Sequence, residues 1–152
     1  MTVNSKINGN EHSQVFLKTE NFHHEGKIQT NTLGISSQNI QSKEVTEILA
    51  HPDERYGALH ISFETFDEME INEAIDSSFK DVTVMAPEIT NNADQEVEKL
   101  TFVSKSHDVN NNGNIHANEI QISAAENFNN NGKDIPLAIK NAKMRAINPI
   151  MC

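Results

Sequence analysis

Apolar positions along the chain switch between two periods. Val15-Phe16-Leu17 suits a short strand, but the rest of residues 1–42 is rich in Asn, Ser, Thr and Gln and weakly periodic, so the expectation there is an irregular segment. From Ser42 the spacing predicts a helix, with Val45, Ile48 and Leu49 on one face and Pro52 as its stop. Leu59, Ile61 and Phe63 then alternate within Tyr56–Phe66, the pattern of a strand. Met69, Ile71, Ala74, Ile75 and Phe79 form a helical stripe behind an acidic first turn. Asp81–Asn92, with Val82-Thr83-Val84-Met85 and Pro87, reads as an extended connector. Helix is expected again over Asp94–Ser106, with Val97, Leu100, Phe102 and Val103 inward, and over Glu119–Asn127. Asn129-Asn130-Asn131-Gly132 breaks it as a connection between helices. Asp134 opens a last helix through Ile147, with Pro136 in its first turn. No repeat of fixed period stands out. The expected organisation is an irregular segment, 1–42, and one domain, 43–150.

Composition narrows the function. At 152 residues the chain fits one domain. Hydrophobic residues make up 36%, Trp is absent, and about one residue in eight is Asn, a turn and cap former. The expected core is therefore modest. A formal net charge of −10 opposes nucleic acid and anionic lipid, which need a positive field. That charge is concentrated: Glu64–Glu98 holds 11 acidic residues and one base, Lys80, as expected for the solvated face of a helix or for a surface attracting a basic partner. A single Cys, Cys152, excludes an internal disulfide. No apolar stretch approaches a membrane span, and the start lacks a secretory pattern. The expected location is the cytoplasm, or outside the cell without a cleaved signal peptide.

One motif carries chemistry. Asp108-Val109-Asn110-Asn111-Asn112-Gly113-Asn114-Ile115-His116-Ala117-Asn118-Glu119 matches the twelve-residue calcium loop. Asp108, Asn110 and Asn112 put side-chain oxygens at loop positions 1, 3 and 5. Gly113 stands where the loop turns, Asn114 offers a backbone carbonyl, His116 acts through a water, and Glu119 closes the shell with two oxygens. The stretch Asp94–Phe128 thus resembles the EF-hand calcium-binding family. That resemblance implies a mostly α fold, a helix-loop-helix pair joined by a short β element, with Ca2+ held by Asp108, Asn110, Asn112, Asn114 and Glu119. It also suggests a degenerate, metal-free partner hand near residues 54–65, with Ile61 pairing with Ile115.

Other chemistries find little support. The seven His residues lack transition-metal spacing. Cys152 has nothing beside it to activate a thiolate, and no phosphate loop, dinucleotide fingerprint or G-x-S-x-G elbow occurs. The expectation is a calcium-binding protein, sensor or structural, that acts through an unidentified protein partner and is not an enzyme. The alternative is a metal-free adaptor or secreted effector using its acidic segment.

Overall fold

The computed structural model describes residues 2–3, 6–52 and 56–132. They form a β-solenoid, not a helical protein. The strands are β1 (Thr2–Val3), β2 (Ile7–Asn8), β3 (Gln14–Asn21), β4 (His23–His24), β5 (Ile28–Gln29) and β6 (Thr32–Asn39). One helix, α1 (Ser42–Ala50), follows. Then come β7 (Tyr56–Gly57), β8 (His60–Thr65), β9 (Met69–Ile71), β10 (Asp81–Ala86) and β11 (Ile89–Asn91). The last are β12 (Gln95–Ser104), β13 (Val109–Asn111), β14 (Ile115–Ser123) and β15 (Phe128–Asn130). Every pairing is parallel. A six-stranded sheet runs β14-β12-β10-β8-β6-β3, and a four-stranded sheet runs β15-β13-β11-β9. Smaller sheets, β2-β5-β7 and β1-β4, belong to the N-terminal coils.

This corrects the mostly α, EF-hand-like expectation. The expected helices at 67–79 and 94–106 contain β9 and β12, that at 119–127 overlaps the second half of β14, and Asn129–Gly132 lies in and just after β15 rather than between helices. The weakly periodic N-terminal region supplies β1 to β6. Within the suggested partner hand, Tyr56–Gly57 and His60–Thr65 are strands, while residues 53–55 lie outside the described residues. The helix expected from Asp134 also lies outside them. Ser42–Ala50 is helical as the spacing predicts.

The core explains the architecture. Successive coils bring every inward residue over its equivalent in the coil below. Val15, Leu33, Ile61, Val82, Leu100 and Ile120 form one continuous row inside the six-stranded sheet. Leu17, Ile35, Phe63, Val84, Phe102 and Ile122 form a second. Such stacking lets a chain of modest apolar content keep a dry interior, because each coil covers the next. A third inward row, Ser37, Thr65, Ala86 and Ser104, is polar except at Ala86 and closes the corner. Ser37, Thr65 and Ser104 donate to the carbonyls of Glu20, Asp67 and Pro87 at 3.3, 3.0 and 2.7 Å, so buried hydroxyls and turn carbonyls satisfy one another.

A repeat does exist. Met69, Ile89 and Val109 stack at 20-residue steps, and Phe128 follows 19 further on. The local strings share a form: Met69-Glu70-Ile71-Asn72, Ile89-Thr90-Asn91-Asn92, Val109-Asn110-Asn111-Asn112 and Phe128-Asn129-Asn130-Asn131. Turns stack as tightly as strands. A Cβ on Gly113 would sit 2.1 Å from the Ala93 carbonyl oxygen, and one on Gly132 2.1 Å from that of Gly113. Glycine is needed there for close approach of stacked turns, not for a left-handed backbone, since no described glycine has positive φ.

The helix interrupts the regular step. Leu33 pairs with Ile61, 28 residues on, because α1 occupies that coil. Val45, Ile48 and Leu49 are buried, and the polar side of the helix start engages β9. Ser42 Oγ donates to the Glu68 carbonyl at 3.0 Å and accepts the Glu70 N–H at 3.2 Å. Thr46 Oγ1 donates to the Glu70 carbonyl at 3.1 Å. These bonds occupy the outer edge of the four-stranded sheet, which would otherwise offer a template for pairing.

Candidate functional site

The residues of the calcium-loop motif are spread over one coil. Asp108 precedes β13, Asn110 lies on it, Asn112 and Asn114 form the turn, and Glu119 sits well along β14 in a different sheet. Their oxygens are taken by neighbouring coils. Asp108 Oδ1 accepts the backbone N–H of Asn127 at 2.9 Å and its amide at 3.0 Å, and Oδ2 accepts the Asn129 amide at 3.0 Å. Asn110 Oδ1 accepts from Asn129 at 2.8 Å, and Asn112 Oδ1 accepts from Asn131 at 2.9 Å. The Asn114 carbonyl, expected as a metal ligand, accepts the Gln95 N–H at 2.7 Å. Glu119 pairs with Lys99 Nζ at 3.2 Å. Calcium wants six to eight oxygens converging on one point, and this donor set, drawn from an extended chain and two sheets, does not fit it. Among the described residues no group of three or more His, Cys, Asp or Glu side chains could hold a metal ion. The EF-hand resemblance is therefore a likeness of pattern.

What the coils do assemble is a flat polar face on the four-stranded sheet. Period-2 alternation sends Met69, Ile89 and Val109 inward and Glu70, Thr90 and Asn110 outward. Three outward rows result. Glu70, Thr90, Asn110 and Asn129 form the central one by strand register. Asn72, Asn92, Asn112 and Asn131 form the second, in which the amides of Asn92, Asn112 and Asn131 donate to Oδ1 of the asparagine one coil before at 2.8, 2.7 and 2.9 Å. Glu68, Glu88, Asp108 and Asn127, each directly before its strand, form the third.

Beneath this face runs a buried amide ladder. Asn91 Nδ2 donates to Asn111 Oδ1, and Asn111 Nδ2 to Asn130 Oδ1, both at 2.8 Å. Gln95 Nε2 donates to Asn91 Oδ1 at 2.8 Å, while Gln95 Oε1 accepts the Ile75 N–H at 2.7 Å. Asn91, Asn111 and Gln95 are 0, 0 and 2% exposed. A fully satisfied polar network of this kind holds the coils in one register.

The electrostatics of the third row are unusual. Glu68, Glu88 and Asp108 succeed one another from coil to coil, where strand spacing is about 4.8 Å, and like charges directly opposite are destabilising. No ion pair involves any of the three among the described residues. Only amides temper the row: Asn110 Nδ2 donates to Glu88 Oε1 at 3.1 Å, and Asn127 and Asn129 serve Asp108.

The six-stranded sheet is wired differently. His60 Nδ1 lies 3.9 Å from Asp81 Oδ2, and Lys99 pairs with Glu119. Glu64 pairs with Lys105 and accepts the Ser36 hydroxyl at 3.0 Å. The Lys105 hydrogen bond first, then that of Ser36, holds the Glu64 carboxyl below its ordinary range, against a smaller opposing effect of burial. A cleft of about 570 Å³ flanks the turns and includes Ser77, Asp94, Glu96 and His116. There Asp94 Oδ1 accepts the Asn114 N–H at 2.7 Å.

Sequence reasoning reached Asp108, Asn110 and Asn112 for a different reason and missed Glu68, Glu70, Glu88 and Thr90 as members of one face. The available signal was spacing: acids at 68, 88 and 108, and asparagines at 72, 92 and 112, recur every 20 residues. The acidic segment Glu64–Glu98, expected on a helix, runs from the end of β8 through β9, β10 and β11 into β12, with the turns between them.

No protein-family model, curated protein or solved structure matches the chain. No described helix is long and apolar enough to cross a membrane.

Proposed function

We propose that this protein is a β-solenoid interaction module that docks a cationic protein surface through its four-stranded face, without catalysing a reaction. One observation carries the reading: the same-sign row of Glu68, Glu88 and Asp108, which no basic side chain offsets among the described residues. A partner supplying Lys or Arg would relieve that repulsion, so binding and stabilisation of the face would be the same event. The net charge of −10 adds a long-range attraction to the same class of partner. The neighbouring rows of Glu70, Thr90 and Asn110 and of Asn72, Asn92 and Asn112 supply hydrogen-bonding groups at the repeat of the coils.

A lysine-rich peptide serves as the probe. Its affinity is expected to fall at least about tenfold between low salt and roughly 0.3 M, where the Debye length shrinks well below 10 Å. The triple variant Glu68→Gln, Glu70→Gln, Glu88→Gln is expected to weaken binding by a similar factor. Equal affinity of the variant and the wild type, with binding reduced instead by charge changes on the six-stranded sheet, would move the docking face.

A further inference from the structure

The first strands of the two large sheets differ at their outer edges. β9 has α1 against it, whereas β3 has β6 on one side and no described strand on the other. The Ser13 carbonyl accepts the N–H groups of Asn31 and Thr32, both at 3.1 Å, so the odd-numbered residues here bond towards β6. By the alternation of a parallel ladder, Gln14, Phe16 and Lys18 direct their N–H and C=O groups the other way. An open edge of eight residues is a template for a further strand. Its side chains are unfinished as well. Val15 and Leu17 are half-buried, while Leu33 and Ile35, next in the same inward rows, are closed over. Phe16 is 68% exposed, with one side of its ring over Gly34.

We propose that β3 is the interface of a two-fold dimer, in which it pairs antiparallel with β3 of a second copy of this chain. Charge favours that occupant. Residues 6–40 hold three acids and three bases, so this part of the chain is neutral and the net −10 lies elsewhere. The acidic row starts at Glu68, three coils from β3, or about 14 Å at the strand spacing. Across the dimer the two rows stand roughly 34 Å apart, far beyond the Debye length of about 8 Å. Two copies therefore meet here without the repulsion their total charge suggests.

The register follows from symmetry. An axis perpendicular to the sheet keeps both cores on one side, and opposite residues of an antiparallel pair share a face, so the axis passes through a residue. The mid-strand choices are Leu17 and Lys18. An axis through Lys18 sets two ammonium groups against each other. An axis through Leu17 sets Leu17 on Leu17 of the second copy and Val15 on Thr19, which covers the half-buried row. It also sets Phe16 opposite Lys18, cation against ring, a pairing that Lys105 and Phe66 already make at 5.7 Å. Phe16 and Lys18 are residues whose backbone groups point outward, so they exchange the new hydrogen bonds.

Sedimentation and disulfide trapping on the full chain test the dimer. The wild type is expected to sediment as a monomer–dimer equilibrium at submillimolar concentration. Lys18→Pro, which removes an N–H directed away from β6, should weaken dimerisation at least about tenfold. Leu17→Cys with Cys152→Ser should form a disulfide-linked dimer under oxidised glutathione. The Cα atoms of such a non-hydrogen-bonded pair stand about 4.5 Å apart, within disulfide reach. Val15→Cys with Cys152→Ser should not, because its counterpart lies about 14 Å away along the strand. A wild type that stays monomeric overturns the proposal, whether or not another segment of the chain covers β3. So does trapping of the Val15 and Leu17 variants to the same extent, which would mark random collision rather than this register.

Discussion

The two outer faces of this solenoid use the same geometry to opposite electrostatic ends. On the six-stranded sheet, stacked positions pair unlike groups, His60 with Asp81 and Lys99 with Glu119, and Glu64 reaches across to Lys105 just past β12. On the four-stranded sheet they stack like on like, with Glu68, Glu88 and Asp108 in one row and asparagines in another. Parallel coils place equivalent residues side by side, so any repeated charge is repelled and any alternating charge is attracted. The six-stranded face offsets several of its charges internally. The four-stranded face leaves carboxylates to be completed from outside, and its order rests on the amide ladder beneath it.

The interiors give the largest expected difference. Phe102→Ala should cost roughly 3–5 kcal/mol, as a large cavity in the dry side of the core. Asn111→Leu removes a donor to Asn130 and to the Gly113 carbonyl, and the acceptor for Asn91. Leaving such groups buried and unpaired should cost about 2–4 kcal/mol, although the substitution adds apolar surface. Urea denaturation compares the two. A neutral Asn111→Leu would mean that the four-stranded side is held by apolar stacking alone.

Gly113→Ala probes the turn that joins the faces. Its Cβ would meet backbone rather than a movable side chain, so coil spacing must open locally, at a cost of roughly 1–3 kcal/mol. Thermal unfolding should show the loss. An unchanged melting temperature would show that the turns can slide apart.

Single charges should then separate the faces by sign. Lys99→Ala deletes an attractive pair and should destabilise by about 0.2–1 kcal/mol. Glu88→Gln relieves a repulsive row and should stabilise by a few tenths of a kcal/mol, about the size of a cross-strand pair. Equal signs for the two substitutions would break the comparison.

The smallest effect is the pH dependence that Glu64 contributes on the six-stranded side. The folded state holds the Glu64 carboxyl below its ordinary range through Lys105 and Ser36. Its contribution is therefore complete above the unfolded carboxyl's range and is lost as pH falls through the lowered folded value. Lys105→Met should flatten the part of the acid-stability curve that Glu64 supplies. A curve that keeps its shape in this variant would assign the slope to other carboxylates.

The sequence by itself determined two elements whose local pattern is plain. The apolar face Val45, Ile48 and Leu49 with Pro52 beyond it produces α1 where expected, and the alternation of Ile61 and Phe63 produces β8. The concentration of acids between Glu64 and Glu98 is likewise plain in the chain, although its carrier is a set of strands rather than a helix. The tertiary structure decided the rest. β9, β11, β13 and β15 are three residues long, too short to display a period, and each exists because a neighbouring coil supplies its hydrogen bonds. Asparagine locally favours turns, so Asn91 reads as part of a connector, Asn111 as part of a loop and Asn130 as a break until stacking turns them into a ladder. The calcium-loop pattern has the same origin. A solenoid coil also needs polar side chains at alternate outward positions, glycine where turns stack, and an apolar residue two places later to re-enter the core. Asp108, Asn110, Gly113 and Ile115 meet those needs with the same residues at the same spacing, and only the position of the adjacent coils distinguishes a stacked strand from a loop folded around an ion.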